Sequence, residues 1–316
     1  MKAKVLVIGA NGQLGSVLVK ELQHHYGLDN IIASDIRKGH HFKGIFEELD
    51  ATDRAQLTEV VLRYGITQIY HLAAILSAKG EADPLATWDL NMKMLFNVLE
   101  VSRIHEVDKV FFPSSIAVFG EDAPWVNTPN KAYLNPATVY GMSKAAGEQW
   151  AQYYFLRYGL DIRSLRYPGV IGYQSLPGGG TTDYAVDIFH KAVLEEEFVC
   201  FLNEDTTLPM IFMEDAIRAT LEVMEAPKED IKIRTAYNLA GSSFSPADIV
   251  KEIRKFYPEF KIRYEPDFRQ DIAARWPKSI SDTEAAMDWG WKPQYNLETI
   301  VRTMIEKLRE QYVAQQ

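Results

Sequence analysis

The sequence predicts an α/β protein built on an open, doubly wound parallel sheet, with a smaller region after about residue 170. Three observations carry that prediction. Short apolar runs such as Val5-Leu6-Val7-Ile8 read as central parallel strands, which are buried on both faces and need no polar alternation. These runs alternate with stretches of helical length through the first half of the chain, the order that builds parallel strands joined by crossover helices. The first run leads into Gly9-Ala10-Asn11-Gly12-Gln13-Leu14-Gly15 and then a helical pattern through Val17, Leu18 and Leu22. Glycine at the first, fourth and seventh positions between a strand and a helix permits a tight turn and a close helix.

In chain order, Lys4 to Gly9 is the first predicted strand, Ile31 to Asp35 the second and Ile45 to Asp50 the third. A helix over Arg54 to Tyr64 precedes a fourth strand, Gln68 to Leu72, and a long helix from about Pro84 to His105 precedes a fifth, Lys109 to Pro113. Asn135-Pro136 opens a helix carrying Tyr140 and Lys144, and Asp161 to Arg166 is a sixth strand. After residue 170 the pattern loosens. Gly178-Gly179-Gly180-Thr181-Thr182-Asp183 is a flexible loop ending in helix-capping residues, readable as a plain turn and cap or as a lid over a substrate. Helices over Tyr184 to Leu194, Met213 to Glu225, Pro246 to Phe256 and Leu297 to Tyr312, with a strand at Ala236 to Leu239, complete this region.

Composition narrows the function. With 316 residues, 47% hydrophobic and 24% charged, the chain can bury a sizeable core. The formal charge is −9 with no stripe of lysines and arginines, which argues against nucleic-acid and anionic-membrane partners. One cysteine, Cys200, rules out an intrachain disulfide framework and a multi-cysteine metal site, and it reads as a small core residue. No metal is expected. No stretch approaches the ~18 apolar residues of a membrane span, and the opening run is too short for a signal-peptide core, so a soluble cytoplasmic protein is expected.

In such sheets ligands bind beyond the carboxyl ends of the strands. Here those ends supply Gly9, Asp35, Asp50, His71-Leu72-Ala73-Ala74, Ser114-Ser115 and Tyr167-Pro168-Gly169. Gly9, Asn11, Gly12, Gln13, Leu14 and Gly15 form a candidate pyrophosphate cradle, because backbone N–H groups and a helix N-terminus attract anions. Asp35, followed by Ile36 and Arg37, lies 20 residues beyond Gly15. A carboxylate there accepts from ribose hydroxyls and repels a 2′-phosphate, which favours NAD over NADP despite the neighbouring arginine. Tyr140 and Lys144 share a helix face, so an ammonium is expected beside the phenol, holding it as a phenolate base. The chain accordingly divides into a cofactor domain, 1–170, and a mainly substrate-binding region, 171–316, part of which returns to the first.

Gly9xxGly12xxGly15, Asp35, His71-Leu72-Ala73-Ala74, Asn91, Ser114-Ser115 and Tyr140xxxLys144 together resemble the extended short-chain dehydrogenase/reductase family, in its NAD-dependent epimerase/dehydratase branch, which has the Rossmann fold. The resemblance implies Ser115 as the catalytic hydroxyl, Tyr140 as acid/base, and Lys144 as the group that lowers its pKa and binds the nicotinamide ribose. It implies Asp50 and Ala51 beside the adenine, Ala73 and Ala74 along the diphosphate and ribose, and Asn91 behind the site. His71, Leu72, Ser114, Tyr167 and Pro168 fall on the same cofactor edge.

Within that family, Leu176 to Ala185, Cys200-Phe201-Leu202, Leu208-Pro209-Met210 and Asp288-Trp289-Gly290-Trp291 look like the short-chain L-threonine 3-dehydrogenases. These oxidise the 3-hydroxyl of L-threonine with NAD to 2-amino-3-oxobutyrate, usually as homodimers. That likeness implies Ser77, Gly180, Thr181, Thr182 and Trp276, with Ser115 and Tyr140, as the substrate wall. It leaves the partner of the substrate ammonium open, with Asp183 either that partner or a cap. Phe119 stands where the wider family often has tyrosine, and Ser115 where relatives can have threonine. A nucleotide-sugar 4-epimerase is the first rival, with Arg263, Arg269 and Arg275 available to a nucleotide pocket. Dehydration is disfavoured because Ile116-Ala117, not an acidic pair, follows Ser115. A non-catalytic NAD sensor is the second rival.

Overall fold

The computed structural model describes residues 3–39 and 42–314. The chain begins β1 (Val5–Ile8), α1 (Gln13–Tyr26), β2 (Ile31–Asp35), β3 (Ile45–Glu48), α2 (Arg54–Tyr64) and β4 (Gln68–His71). It continues α3 (Ser77–Gly80), α4 (Pro84–Ile104), β5 (Lys109–Phe111), β6 (Ser114–Ser115), α5 (Val139–Tyr158), β7 (Asp161–Arg163) and β8 (Leu165–Tyr167). Then follow β9 (Gly169–Ile171), α6 (Tyr184–Val193), β10 (Phe198–Cys200), β11 (Leu208–Phe212), α7 (Met213–Glu225) and β12 (Tyr237–Asn238). The last elements are β13 (Ser242–Phe244), α8 (Pro246–Ile253), β14 (Ile262–Tyr264), α9 (Phe268–Ala273), α10 (Thr283–Trp289) and α11 (Leu297–Ala314).

The main sheet has the order β3-β2-β1-β4-β5-β7 and every pairing in it is parallel. Strand order reverses between β1 and β4, and at such a switch point the loops diverge and leave a crevice. Alternate residues of β1 face opposite layers, as the pleat requires. Val5 and Val7 join a core with α1 and α7, while Leu6 and Ile8 join one with α2, α4 and α5. All four are essentially solvent-free, and each such side chain contributes about 1.5–3 kcal/mol of burial.

Two expectations are corrected. The fifth strand ends at Phe111, since Pro113 has no N–H for the ladder; Ser114 and Ser115 resume as β6 on a different neighbour, β8. The sixth strand is broken at Ser164, with β7 pairing β5 and β8 pairing β6 and β12. Through β12 the later chain adds a strand beside the first half. The rest of the second half holds a three-stranded sheet, β13-β11-β9, and a parallel pair, β10-β14, over a separate apolar core. Cys200 sits in β10, buried and free, its thiol pushed up to about 11 mainly by burial, as an inert core residue would be.

Among the described residues no helix is long and apolar enough to cross a membrane.

Candidate active site

The loop after β1 is shaped by steric need. Gly9 has φ +88°, and a Cβ there would stand 2.7 Å from the Ala73 nitrogen. A Cβ at Gly15 would overlap the Gly9 carbonyl oxygen, so only glycine lets α1 start this close to the sheet. Gly12, the residue before α1, offers no side chain to cap the helix, which leaves its first-turn amides open to an anion. Asp35 accepts from the Asn11 backbone N–H at 3.0 Å, and Asn11 donates its amide to the Arg37 carbonyl at 2.7 Å. These bonds tie the cradle to the end of β2.

A cleft of about 420 Å³ opens here, walled by Gly9, Gly12, Asp35, Ile36, Asp50 and Ala51 from the ends of β1, β2 and β3. Leu90 and Met94, four residues apart on α4, line its apolar side and were not picked out from the sequence; their spacing on one helix face was the available signal. Leu72 and Ala74 belong both to this cleft and to a second cavity of about 160 Å³. The two spaces therefore adjoin, which suits an elongated dinucleotide with its reactive end in the smaller one.

The second cavity gathers Gln13, Leu14, Ser115, Tyr140, Lys144, Tyr167 and Pro168, together with Ser77, Gly180, Thr181, Thr182 and Trp276. Residues 77, 115, 140, 181 and 276 of the sequence reading thus share one small space. Helix α5 can reach it because two glycines remove side chains: a Cβ at Gly141 would overlap the Ala117 carbonyl, and one at Gly147 would meet the Phe112 ring at about 2.5 Å. Thr138 caps the helix by accepting from the Gly141 N–H at 3.0 Å.

Several predicted residues act behind the surface. Asn91 accepts from the Ile75 N–H at 2.9 Å and donates to the Ile75 carbonyl at 3.2 Å, pinning the segment after β4. His71 is buried against Phe112, and burial with the nearby Lys144 pushes its pKa down to about 3, so it is neutral. Placed on the cofactor edge from the sequence, it lines neither the Asp35 cleft nor the second cavity. Ser114 turns its hydroxyl to the Glu148 carboxylate at 2.6 Å.

Burial dominates the ionisation of the central pair. Burial pushes the Tyr140 phenol up to about 12, with the hydrogen bond to Ser115 pulling the other way. Lys144 is pushed down to about 7 by burial and spends one N–H on the Pro113 carbonyl at 2.7 Å. Its Nζ stands 5.5 Å from the centre of the Tyr140 ring. Both shifts favour the neutral forms, because low-polarity surroundings disfavour both charges.

Asp183 also departs from expectation. It makes no capping bond to α6; its carboxylate reaches back to the N–H groups of Gly179 and Gly180 at 2.7 and 2.8 Å. The glycine loop is thereby folded over the cavity, and the Ser77 and Thr181 hydroxyls, 3.2 Å apart, close its far side. Trp276 contributes a buried indole N–H that has no partner within the described residues. Leu76, Ile116 and Val170 complete the apolar lining, and no motif marked them in the sequence. Arg263, Arg269 and Arg275 are tied to Glu197 and Glu265, to Asp267, and to Glu121, and none lines the cavity.

The fold is shared with known proteins. A GalE-like L-threonine dehydrogenase from Cupriavidus necator, in its holo form, superposes with TM-score 0.95 at 54% identity, over 96% of this chain and 99% of that one. A monomeric L-threonine 3-dehydrogenase from a metagenome superposes with TM-score 0.95 at 46% identity, covering 97% and 99%. An uncharacterized epimerase/dehydratase of Staphylococcus saprophyticus is 45% identical over 310 residues, 96% of this chain and 97% of that protein. The glycine cradle and the Asp35 cleft fit NAD, the cofactor of the family whose sequence pattern residues 5–240 match. The chain belongs to the NAD-dependent epimerase/dehydratase family.

Proposed function

We propose that this protein is an L-threonine 3-dehydrogenase, oxidising the 3-hydroxyl of L-threonine to 2-amino-3-oxobutyrate with NAD. The observation that carries the reading is the meeting of Ser115, Tyr140 and Lys144 with Ser77, Thr181, Thr182 and Trp276 in one cavity of about 160 Å³. That lining, with hydroxyls on one side and an indole on the other, suits a small hydroxy amino acid. The engagement of Arg263, Arg269 and Arg275 in ion pairs elsewhere weighs against a nucleotide-sugar epimerase. High identity to threonine dehydrogenases supports the same choice.

When bound, NAD supplies the hydride acceptor and, in its oxidised form, a positively charged ring. Ser115 holds the substrate hydroxyl, and Tyr140 takes its proton as general base. A phenol at about 12 is a poor base near neutrality, since each pKa unit costs about 1.4 kcal/mol. Lys144 supplies a compensating charge only while protonated. Hydroxyls of Ser77, Thr181 and Thr182 face the substrate's polar end, and the Trp276 N–H offers a donor to its carboxylate. Tyr140 must be deprotonated while Lys144 is protonated. With groups at about 12 and about 7, the rising phenolate fraction and the falling ammonium fraction offset one another, so kcat/KM should stay nearly level from pH 7 to 9; a tenfold rise per pH unit would mean that the Lys144 charge is not needed.

The family expectation of a homodimer has a local basis. Leu85 and Trp88 of α4 and Trp150, Tyr153 and Leu156 of the adjacent α5 are exposed, an apolar surface suited to a second copy. Light scattering separates this from a monomer.

The test of the activity is NADH absorbance when protein meets NAD and L-threonine, with L-allo-threonine, L-serine and NADP in parallel. A rise with L-threonine and NAD is expected. No rise with any amino acid, in protein that binds NADH, would return the sensor and epimerase readings.

A further inference from the structure

Helix α5 carries a third charged group one turn beyond Lys144. Tyr140, Lys144 and Glu148 stand four residues apart on one stripe of the helix, and Glu148 is wholly buried. Its carboxylate is held from two sides. Arg166 of β8, also buried, donates Nε to Oε1 at 2.8 Å and Nη2 to Oε2 at 2.7 Å. Ser114 of β6 donates its hydroxyl to Oε1 at 2.6 Å.

The chain of bonds continues past the pair. Arg166 Nη1 donates to the Asn130 carbonyl at 2.7 Å and to the Asn238 side-chain oxygen at 3.1 Å. The Asn238 amide donates to the carbonyls of Thr128 and Ser281, each at 3.0 Å. None of these side chains leaves a buried polar atom unpaired. A buried ion pair of this kind adds little net stability over an apolar pair of the same size. Its value lies in fixing where the groups around it stand.

The strand end Pro113-Ser114-Ser115 bears one reacting hydroxyl and α5 bears the other. Two side chains of α5 tether them: Lys144 through the Pro113 carbonyl, and Glu148 through the Ser114 hydroxyl. Lys144 is also a group the proposed chemistry uses, so it is a poor fixed anchor. A helix held to a strand end at one point can pivot, whereas two points a turn apart, about 5.4 Å, prevent it. We infer that Glu148, clamped by Arg166, is a positioning residue that sets the Ser115 hydroxyl against the Tyr140 phenol. Through Asn238 the same buried chain ties that geometry to the segment running from Trp276 to Ser281. The inference rests on Ser115, Tyr140 and Lys144 being the catalytic set.

Ser114→Ala cuts the Glu148 tether and leaves the ion pair. The expected result is a fall in kcat of about 10-fold, because small misplacements cost rate steeply, with KM and NADH affinity within about two-fold. Ser114→Thr keeps the hydroxyl and should restore most of the rate. Glu148→Leu with Arg166→Met replaces the pair by apolar side chains of similar size, and should fold with wild-type NADH affinity yet lose about 100-fold in kcat. Wild-type kcat in Ser114→Ala, or in the folded double variant, would overturn the inference, as would a rate loss that comes only with lost NADH binding. If the double variant does not fold, the two Ser114 variants decide.

Rates are read on whichever hydroxy substrate the wild type oxidises, so failure on L-threonine strikes the proposed function alone. A crystal structure of Ser114→Ala reads the same point without substrate. The Ser115 to Tyr140 hydroxyl separation should change by more than about 0.5 Å, the tolerance of a productive site, and an unchanged separation overturns the inference.

Discussion

The Asp35 cleft and the proposed substrate wall are built in opposite ways. Gly9, Asp35, Asp50 and Ala73 stand at or just beyond the ends of neighbouring parallel strands, and the sheet itself brings them side by side. Ser77, Thr181 and Trp276 come from a one-turn helix, a glycine loop and the turn after α9; the Ser77 and Thr181 hydroxyls lie 3.2 Å apart, and Trp276 reaches the same cavity from the later chain. The cofactor half thus depends on backbone shape, where a single Cβ is decisive. The substrate half depends on side chains presented by loops, which can change without disturbing the sheet.

Substitutions can break or sharpen that contrast, and the largest effect falls at the seam. Tyr140→Phe should lower kcat by about 10³-fold, within the usual range for removing a general base, while NADH affinity by fluorescence titration stays within about two-fold. Retained turnover would remove Tyr140 from its role. Next comes the cofactor half. Gly15→Val would drive a side chain into the Gly9 carbonyl, and NADH binding should weaken at least 100-fold by the same titration. Tight binding in that variant would mean that the cradle is more pliable than its geometry implies.

The substrate half should respond more gently. Thr181→Val keeps the shape but removes the hydroxyl that faces Ser77, leaving a buried group short of a partner. KM for L-threonine should rise about 10-fold, in keeping with a 1–3 kcal/mol loss, with NADH affinity unchanged. If both ligands weaken together, the two halves are not separable.

The smallest effect on activity and the clearest on stability belongs to His71. Its folded pKa, about 3, lies below the unfolded value near 6.5, so the unfolded chain binds the extra proton in that window. Stability therefore falls as pH drops from about 6.5 towards 3. Each pKa unit is worth about 1.4 kcal/mol, so the loss amounts to a few kcal/mol. His71→Gln removes this titration, and its denaturation midpoint should vary less with pH across the window than that of the wild type.

How much of this was readable beforehand follows the same division. The first five parallel strands and their helices were visible because apolar runs and helical periods are local signals. The short strands β9, β10, β13 and β14 were not, since three residues carry no period and their partners lie far along the chain, and the five-residue β11 was missed as well, with Pro209 inside its run. Asp183 looked like a cap because the helix start is a local cue, but its carboxylate is claimed by the glycine loop. Glu148 and Arg166 were passed over. The four-residue step from Lys144 was visible, yet the pairing with β8 depends on the strand break at Ser164.

The sequence by itself determined the parallel sheet and the glycine cradle with its NAD-favouring carboxylate, and it marked the serine, tyrosine and lysine of the proposed catalytic set. The sheet and the cradle are set within a few dozen residues by sterics and periodicity, whereas the roles of the serine, tyrosine and lysine were read from the family resemblance. Tertiary structure alone decided the size of the substrate cavity, the partners of Asp183 and the buried Glu148–Arg166 chain. It also decided how deeply Tyr140 and Lys144 are buried. Charge states and cavity walls depend on what surrounds a group in space, and burial can outweigh the chemistry of its neighbours in sequence.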